Sequence, residues 1–351
     1  MEQEAPRAIV EVDGVDVRWD DLVDLRVENS LYFAADSFEI RLNNEQMLSD
    51  WLRKEQEVRI YLGFVNNPDR WSKSELQHIF TGKIDGIKPG FSSTNTVQLI
   101  GRDYASRLID TDNSIAFANQ AAHEIAILLA NKYGLTPVVT PGESVLDKEM
   151  FNNKKEWDIL QMLADREGFV CYVDKDKNLY FGPRQESDEE VVHTYSRKPG
   201  EANCTVDFDD SAVGVVNKVT VRHWYKKRLI EASAQNDSLT EHMGQVKERI
   251  VYDSKAKTPE LAKSIAEKRL KEWSRQVVTA RVWSPLLPSL AAEKKVSIVG
   301  CGRFDEDYYI DRLTHSLSKM GSTTEVDMTS VRPETAEQYR QDLYDNKEAK
   351  L

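Results

Sequence analysis

The chain has 351 residues, 40% of them apolar and 30% charged, and carries 59 acidic against 47 basic side chains for a net charge of −12. That length supports two or three compact units with their own cores, and the balance excludes a disordered, collagenous or membrane-embedded chain. The acidic excess opposes binding to a nucleic-acid backbone, which needs clustered Lys and Arg to displace counterions, yet it suits a wall along which a polyanion slides without sticking.

Strands are expected first. Ile9 to Val17 alternates Val with polar residues around Asp13-Gly14, a pair suited to a tight hairpin turn. Ser37–Leu42, Val58–Leu62, Phe80–Ile87 and Thr96–Ile100 alternate in the same way, and strands at this spacing predict a small barrel or sandwich. Residues 118 to 133 then place Ala118, Ala122, Ile125, Leu128 and Leu129 on one helical face before Gly134. A second helix is predicted from an Asn153 cap with Glu156 three residues on, through Trp157, Leu160, Leu163 and Ala164, to Gly168. Phe169–Val173, a turn at Asp174–Asn178 and Leu179–Phe181 read as a hairpin.

From about residue 203 strands return, clearest at Val213–Val221 and Gln245–Tyr252, around one helix at 259–275 announced by Thr258-Pro259-Glu260. The last strands are Val296–Val299, Tyr308–Leu313 and Glu325–Met328, and the tail beyond Pro333 is polar. The expected fold class is mainly β with α+β. Two small related β-barrels, 1–109 and 203–332, flank a small α/β domain at 110–202, with helix 259–275 inserted in the second barrel and a polar tail at 333–351.

A weak internal repeat relates the two expected barrels. Val58-Arg59-Ile60, then Ile84-Asp85-Gly86-Ile87, then Val97-Gln98-Leu99 is echoed in the same order by Val296-Ser297-Ile298, Ile310-Asp311-Arg312-Leu313 and Val326-Asp327-Met328. Two similar barrels per chain, in a trimer, place six similar barrels around one axis.

Three blocks resemble a known family. Phe80 to Ile87, containing Gly82, Ile84 and Asp85, leads to Val97–Leu108 with Gly101 and Asp103; Trp157–Ala164, with Leu160, leads through Gly168 to Phe181 and Gly182; Tyr308–His315 contains Tyr309, Ile310 and His315. In this order they are similar to the late control D, or baseplate hub, proteins of contractile phage tails, whose fold also forms the N-terminal part of VgrG spikes. The resemblance spans most of residues 8 to 330 and implies no catalytic residue and no cofactor. It implies a homotrimer joined to a tail tube protein, a separate spike protein and baseplate wedge proteins, with DNA or cargo passing through its lumen without specific binding. A virion or tail-like particle baseplate is the implied location, after synthesis in a bacterial cytoplasm. MEQEAPRAIVEVDG lacks a signal-peptide pattern, no stretch approaches the ~18–20 apolar residues of a membrane helix, and no membrane insertion is expected.

Catalytic and metal patterns are incomplete. His123-Glu124 opens like a zinc-protease helix, but Ile127 stands where the second His belongs. Gly300-Cys301-Gly302 lacks the third glycine of a dinucleotide fingerprint and reads as a strand-end turn. Asp207, Asp209 and Asp210 have oxygen-ligand spacing without the rest of a calcium loop. Cys171, Cys204 and Cys301 form no CxxC pair and read as small buried hydrophobes, and Asn203-Cys204-Thr205 is a sequon without a secretory context. Arg222, Lys226, Lys227 and Arg228 beside Trp224 and Tyr225 suit either single-stranded nucleic acid or, preferably, an acidic neighbouring subunit. The reading is a structural hub and not an enzyme. The alternatives are a peptidoglycan-degrading tail enzyme and a receptor-binding tail module.

Overall fold

Alternation of branched or aromatic residues with polar ones gives this chain large sheets, because successive side chains of an extended strand point to opposite faces. The computed structural model describes residues 5–30, 34–117, 120–142, 145–146, 149–185, 189–210, 216–253, 256–274 and 278–330. They divide into two compact units, the first of residues 5–207 and 280–330, the second of residues 208–279.

The first unit begins with β1 (Ala5–Val12), β2 (Val15–Val17), β3 (Leu22–Ser30), β4 (Ser37–Asn43), β5 (Glu57–Val65), β6 (Gln77–Gly90) and β7 (Thr96–Asp103). Asp13 and Gly14 both take positive φ in the turn joining β1 to β2, as the Asp-Gly pair predicts. Next come α1 (Ala105–Asp110), β8 (Asp112–Phe117), β9 (Gln120–Ala121), α2 (Ala122–Lys132), β10 (Thr136–Val139), β11 (Val145–Leu146), β12 (Glu149–Lys155), α3 (Glu156–Glu167), β13 (Val170–Val173) and β14 (Asn178–Gly182). The chain continues through β15 (Val191–Ser196) and β16 (Thr205–Asp210). After the second unit it returns as β20 (Val278–Pro285), β21 (Lys295–Val299), β22 (Asp307–Ser318) and β23 (Gly321–Thr329).

One sheet runs β16-β20-β23-β22-β3-β4-β7-β6-β5-β1-β2, with β21 added to β22 and β15 to β21. Its first half has the order β3-β4-β7-β6-β5-β1, and its second half β16-β20-β23-β22-β21-β15. Matching these strand for strand preserves their order along the chain as well as across the sheet. The halves differ at one end, where β1 pairs antiparallel with β5 but β15 pairs parallel with β21.

The echo extends to register. Val58 lies opposite Gly82, and Val296 opposite Tyr308, the residues that the Ile-Asp alignment equates. Between β6 and β7 the ladder slips at Asp85, and between β22 and β23 it slips at Asp311, the same place in the motif. A bulge inserts one unpaired residue and sharpens the local twist. The third block aligns differently from the sequence reading: Ile87 faces Leu99 and Leu313 faces Val326, so Leu99, not Val97, is the counterpart of Val326. A two-residue slide keeps every side chain on its own face, so alternation alone cannot detect it.

Strand pairing shows no closed barrel among the described residues; strands from both expected barrels lie in one sheet, joined where β22 pairs antiparallel with β3, and the second half also takes in β15 from within 110–202. The sequence reading did not identify β3 as a strand. Its apolar residues Leu22, Leu25 and Val27 fall out of strict alternation because the ladder to β4 slips between Leu22 and Asp24.

The α/β layer packs Ala122, Ile125, Ala126, Leu129 and Ala130 of α2 against Trp157, Leu160, Leu163 and Ala164 of α3 and Leu179 and Phe181 of β14. Leu128, expected inside, is 42% exposed, since the buried stripe follows Ala126 and Ala130 instead. Ala118 lies outside the described residues. Asn153 does not cap α3; it lies in β12 with φ 49°, beside a slip in the ladder to β8, and Lys155 precedes the helix.

The second unit is β17 (Lys218–Tyr225), β18 (Arg228–Gln235), α4 (Asp237–Met243), β19 (Glu248–Tyr252) and α5 (Pro259–Trp273). The sheet order is β18-β17-β19, and Ala262, Ala266 and Leu270 of α5 pack on Val219 and Val221. Thr258 caps α5 as expected, its hydroxyl accepting from the Leu261 N–H at 3.3 Å. The insertion is therefore a three-stranded sheet with two helices, larger than the single helix expected at 259–275. The polar tail expected at 333–351 lies outside the described residues.

Candidate functional site

Glycine is needed at two adjacent positions of the first half-sheet. Phe38 and Phe80 meet edge to face, centroids 5.4 Å apart. A Cβ on Gly101 would stand 2.0 Å from the Lys83 carbonyl and 2.5 Å from the Phe38 ring, and one on Gly82 2.3 Å from the Arg102 carbonyl. Ile84 is fully buried beside them. Asp85, the bulge residue, accepts from Arg102 Nε at 2.7 Å, and the same guanidinium grips Asp110 with bonds of 3.1 and 2.7 Å. Arg102 thereby ties β6 to β7 and α1.

Where β7 ends, two carboxyls meet. The Asp103 N–H donates to the Asp36 carbonyl at 2.9 Å, and the Asp103 carboxyl accepts from the Ala105 N–H at 3.0 Å, which starts α1. Asp36 accepts from Asn29 Nδ2 at 2.6 Å and the Ser30 N–H at 2.9 Å. Burial pushes the Asp36 carboxyl up to about 7 despite these bonds, and burial plus the charge of Asp36 holds Asp103 well above the usual carboxylate range.

Asp36 and Asp103 line a cavity of about 320 Å³ with Trp157 of α3 and His315 of β22. Trp157 is 3% exposed, and among the described residues neither its indole Nε1 nor the Ser30 hydroxyl of the same lining has a hydrogen-bond partner. His315 Nδ1 lies 2.9 Å from Thr324 Oγ1, and burial holds the imidazole down to about 4. Its neutral ring can exchange a hydrogen bond with Thr324 but carries no charge at neutral pH. Three residues of the sequence blocks, Asp103, Trp157 and His315, thus converge on one cavity. Two carboxyls, a free indole N–H and a neutral imidazole suit holding a proton or ordering water between layers.

The other block residues serve the layers themselves. Gly168 ends α3 with φ 70°, Leu160 and Phe181 are core, and a Cβ on Gly182 would stand 2.6 Å from Thr140 Oγ1. Ile310 is fully buried, and Tyr309 OH donates to Glu189 at 3.0 Å.

Glu156, read in the sequence as part of a helix cap, and Glu57, not singled out there, are two further carboxylates that hold the layers. Glu156 is fully buried at the start of α3 and accepts from Asn113 Nδ2 at 2.7 Å, Lys132 Nζ at 2.6 Å and Tyr133 OH at 2.6 Å. Glu57 accepts from Tyr104 OH at 2.5 Å and Lys177 Nζ at 2.8 Å; burial disfavours its charge, but these partners outweigh it and hold it down to about 2. The donors to Glu156 lie 23 to 43 residues away, and Glu57 adds Lys177, 120 residues away, to its local partner Arg59, so sequence spacing does not signal these sites.

The remaining motifs have structural settings. Glu124 accepts from the Ala121 N–H at the start of α2, and Asp305 takes the Gly300 and Cys301 N–H groups in a strand-end turn. Asn203 bridges back to Ser196 and Thr194. Cys171 and Cys204 are buried, whereas Cys301 is partly exposed. Asp207, Asp209 and Asp210 are exposed, and no group of three His, Cys, Asp or Glu side chains is placed to hold a metal among the described residues. Arg222 pairs with Glu231, while Lys226, Lys227 and Arg228 make no ion pair among the described residues. No helix among the described residues is long and apolar enough to cross a membrane.

The fold has solved counterparts. A tail protein from Neisseria meningitidis MC58 superposes with TM-score 0.70 at 17% identity, over 93% of this chain and 96% of that one. The 43 kDa tail protein of prophage MuSo2 from Shewanella oneidensis gives 0.71 at 16% identity, over 95% and 98%. The E. coli c3393 protein, a component of the type VI secretion system, gives 0.58 at 11% identity, over 93% and 78%. At these identities the likeness is one of fold. No curated protein matches the sequence. A family description does match it, over residues 55–319, a span that takes in the glycine pair, the cavity residues Asp103, Trp157 and His315 and both bulges, and by that match the chain belongs to the Alg8 N-terminal domain family.

Proposed function

We propose that this chain is a structural hub at the tip of a contractile phage tail or tail-like injection particle. In this reading it is a homotrimer that adapts a six-fold tail tube to a three-fold spike and lines the channel between them. The observation that carries the reading is the repeated strand order with its matching bulges at Asp85 and Asp311. A three-fold assembly of a chain with two equivalent half-sheets presents six similar edges, which a six-fold partner can meet. Fold likeness to tail proteins over more than nine-tenths of the chain supports the same reading. The finer kinship with late control D hubs belongs to this proposal. So does the assignment of 1–109 and 203–332 to the tube-forming parts and of 110–202 to the wall between them.

The tail tube protein, a spike protein and baseplate wedge proteins are the partners this role requires, with DNA or cargo passing through without specific contact. Native mass tests it. Three chains of 40.2 kDa give about 120 kDa, and a chain that stays monomeric at high concentration would count decisively against the hub. The peptidoglycan-degrading alternative predicts clearing of a purified cell-wall suspension; the hub reading expects none.

A further inference from the structure

Among the described residues, the second unit leaves large apolar side chains exposed on one face of its sheet. Val219 and Val221 of β17 turn toward α5, so the alternate residues turn the other way. On that open face Trp224 is 66% and Tyr252 73% exposed, with Leu229 directly opposite Trp224 and Ile250 opposite Thr220. Such a cluster of large apolar and aromatic side chains on one small sheet is the composition of an interface centre.

The hairpin beside it is unusual in its turn. Tyr225 pairs with Arg228 across a two-residue loop, and both loop residues, Lys226 and Lys227, hold left-handed φ values of 48° and 65°. Asn-Gly occupies such a turn with little strain; two lysines do not. Local folding gains nothing from lysine here, and a strained position that carries charge points to use of the charge. No carboxylate among the described residues compensates the charge, although Lys226 Nζ lies 5.2 Å from the Tyr225 ring centroid. Lys218 and Arg222 lower on the same strand are paired with Glu248 and Glu231, but Lys226, Lys227 and Arg228 have no ion pair among the described residues.

We infer that this basic, aromatic hairpin end docks on the acidic surface of a second copy of the same chain. The complementary charge is available in the chain itself, which carries 59 acidic side chains and a net charge of −12. A phosphate backbone needs a longer run of cations than these three to displace its counterions, which makes single-stranded nucleic acid the poorer occupant despite the exposed rings. The inference rests on the self-assembly proposed above and names one of its contact surfaces.

The test compares full-length wild type with Lys226→Asn/Lys227→Gly, which keeps the turn type, relieves its strain and removes two cations. Native mass is followed against protein concentration at low and at 300 mM salt, alongside thermal unfolding and binding of a labelled oligothymidylate. Wild-type assembly should weaken with salt, and the variant should assemble at least tenfold more weakly while its unfolding midpoint stays level or rises. Loss of assembly without loss of fold separates a docking role from a structural one. A trimer indifferent to the double substitution overturns this inference and leaves the hub reading standing; a wild-type chain that remains monomeric overturns both. Oligothymidylate binding that the variant loses, with assembly unchanged, assigns the hairpin to nucleic acid and also overturns it.

Discussion

A carboxyl enclosed beside another carboxyl resists ionisation, and Asp36 and Asp103 therefore make the first unit sensitive to alkali. The folded-state pKa of Asp36, about 7, lies above its ordinary 3.8. The folded chain binds that proton more tightly than the unfolded one, so the stabilisation is complete below about pH 4 and is lost as pH rises through 7. Asp36→Asn should flatten the fall in stability measured by denaturant titration between pH 5 and 8, while losing one of the two bonds the carboxyl accepts from Asn29 and Ser30. The Asp36 contribution to the slope is limited to ~1.4 kcal/mol per pH unit, and parallel wild-type and variant profiles would overturn its role. His315 acts in the opposite sense: its folded value of about 4 lies below the ordinary 6.5, so its contribution is present above that value and is lost as pH falls toward 4. Gly101→Ala places a methyl group where the Lys83 carbonyl and the Phe38 ring already stand. A loss of about 1–3 kcal/mol is expected from the same denaturant titration.

Elements in the α/β layer are held by single side chains at their ends. Glu156 at the head of α3 draws Asn113 of β8, Lys132 of α2 and Tyr133 onto one buried carboxylate. Glu156→Ala strands those donors, and a destabilisation of about 3 kcal/mol is expected by chemical denaturation; Glu156→Gln should recover part of it, since an amide oxygen still accepts. Much of the element pattern was legible in the sequence. Alternation located β4 to β7 and β21 to β23, the Thr258-Pro259 pair located α5, and the Ile-Asp echo landed on both bulges. What escaped detection was non-local or irregular. The β3 strand is disguised by its own slip, Asn153 mimics a cap from within a strand, and the donors to Glu156 come from other elements. The cavity was legible only as three block residues, Asp103, Trp157 and His315, without Asp36, which no motif marks.

Across the whole molecule, the seam between β3 and β22 makes the two half-sheets one sheet. It runs in unbroken register from Arg312 opposite Ser30 to Ser318 opposite Asp24, with Val27 opposite His315 at its centre. Val27→Pro removes a donor from that central strand and is expected to abolish cooperative unfolding of the unit, seen as a broadened or split thermal transition. The seam also sets a timetable. Its two strands are separated by about 280 residues of chain, which a ribosome takes roughly 15 to 60 s to make at ~5–20 residues per second. Throughout that interval β4 can pair with β3 on one side, while the other side of β3 stays an open template for any passing strand. Completion of the sheet thus waits on the last strands to be synthesised, and a slow ribosome or a premature stop before Asp307 releases a chain whose most adhesive edge has nothing to close it.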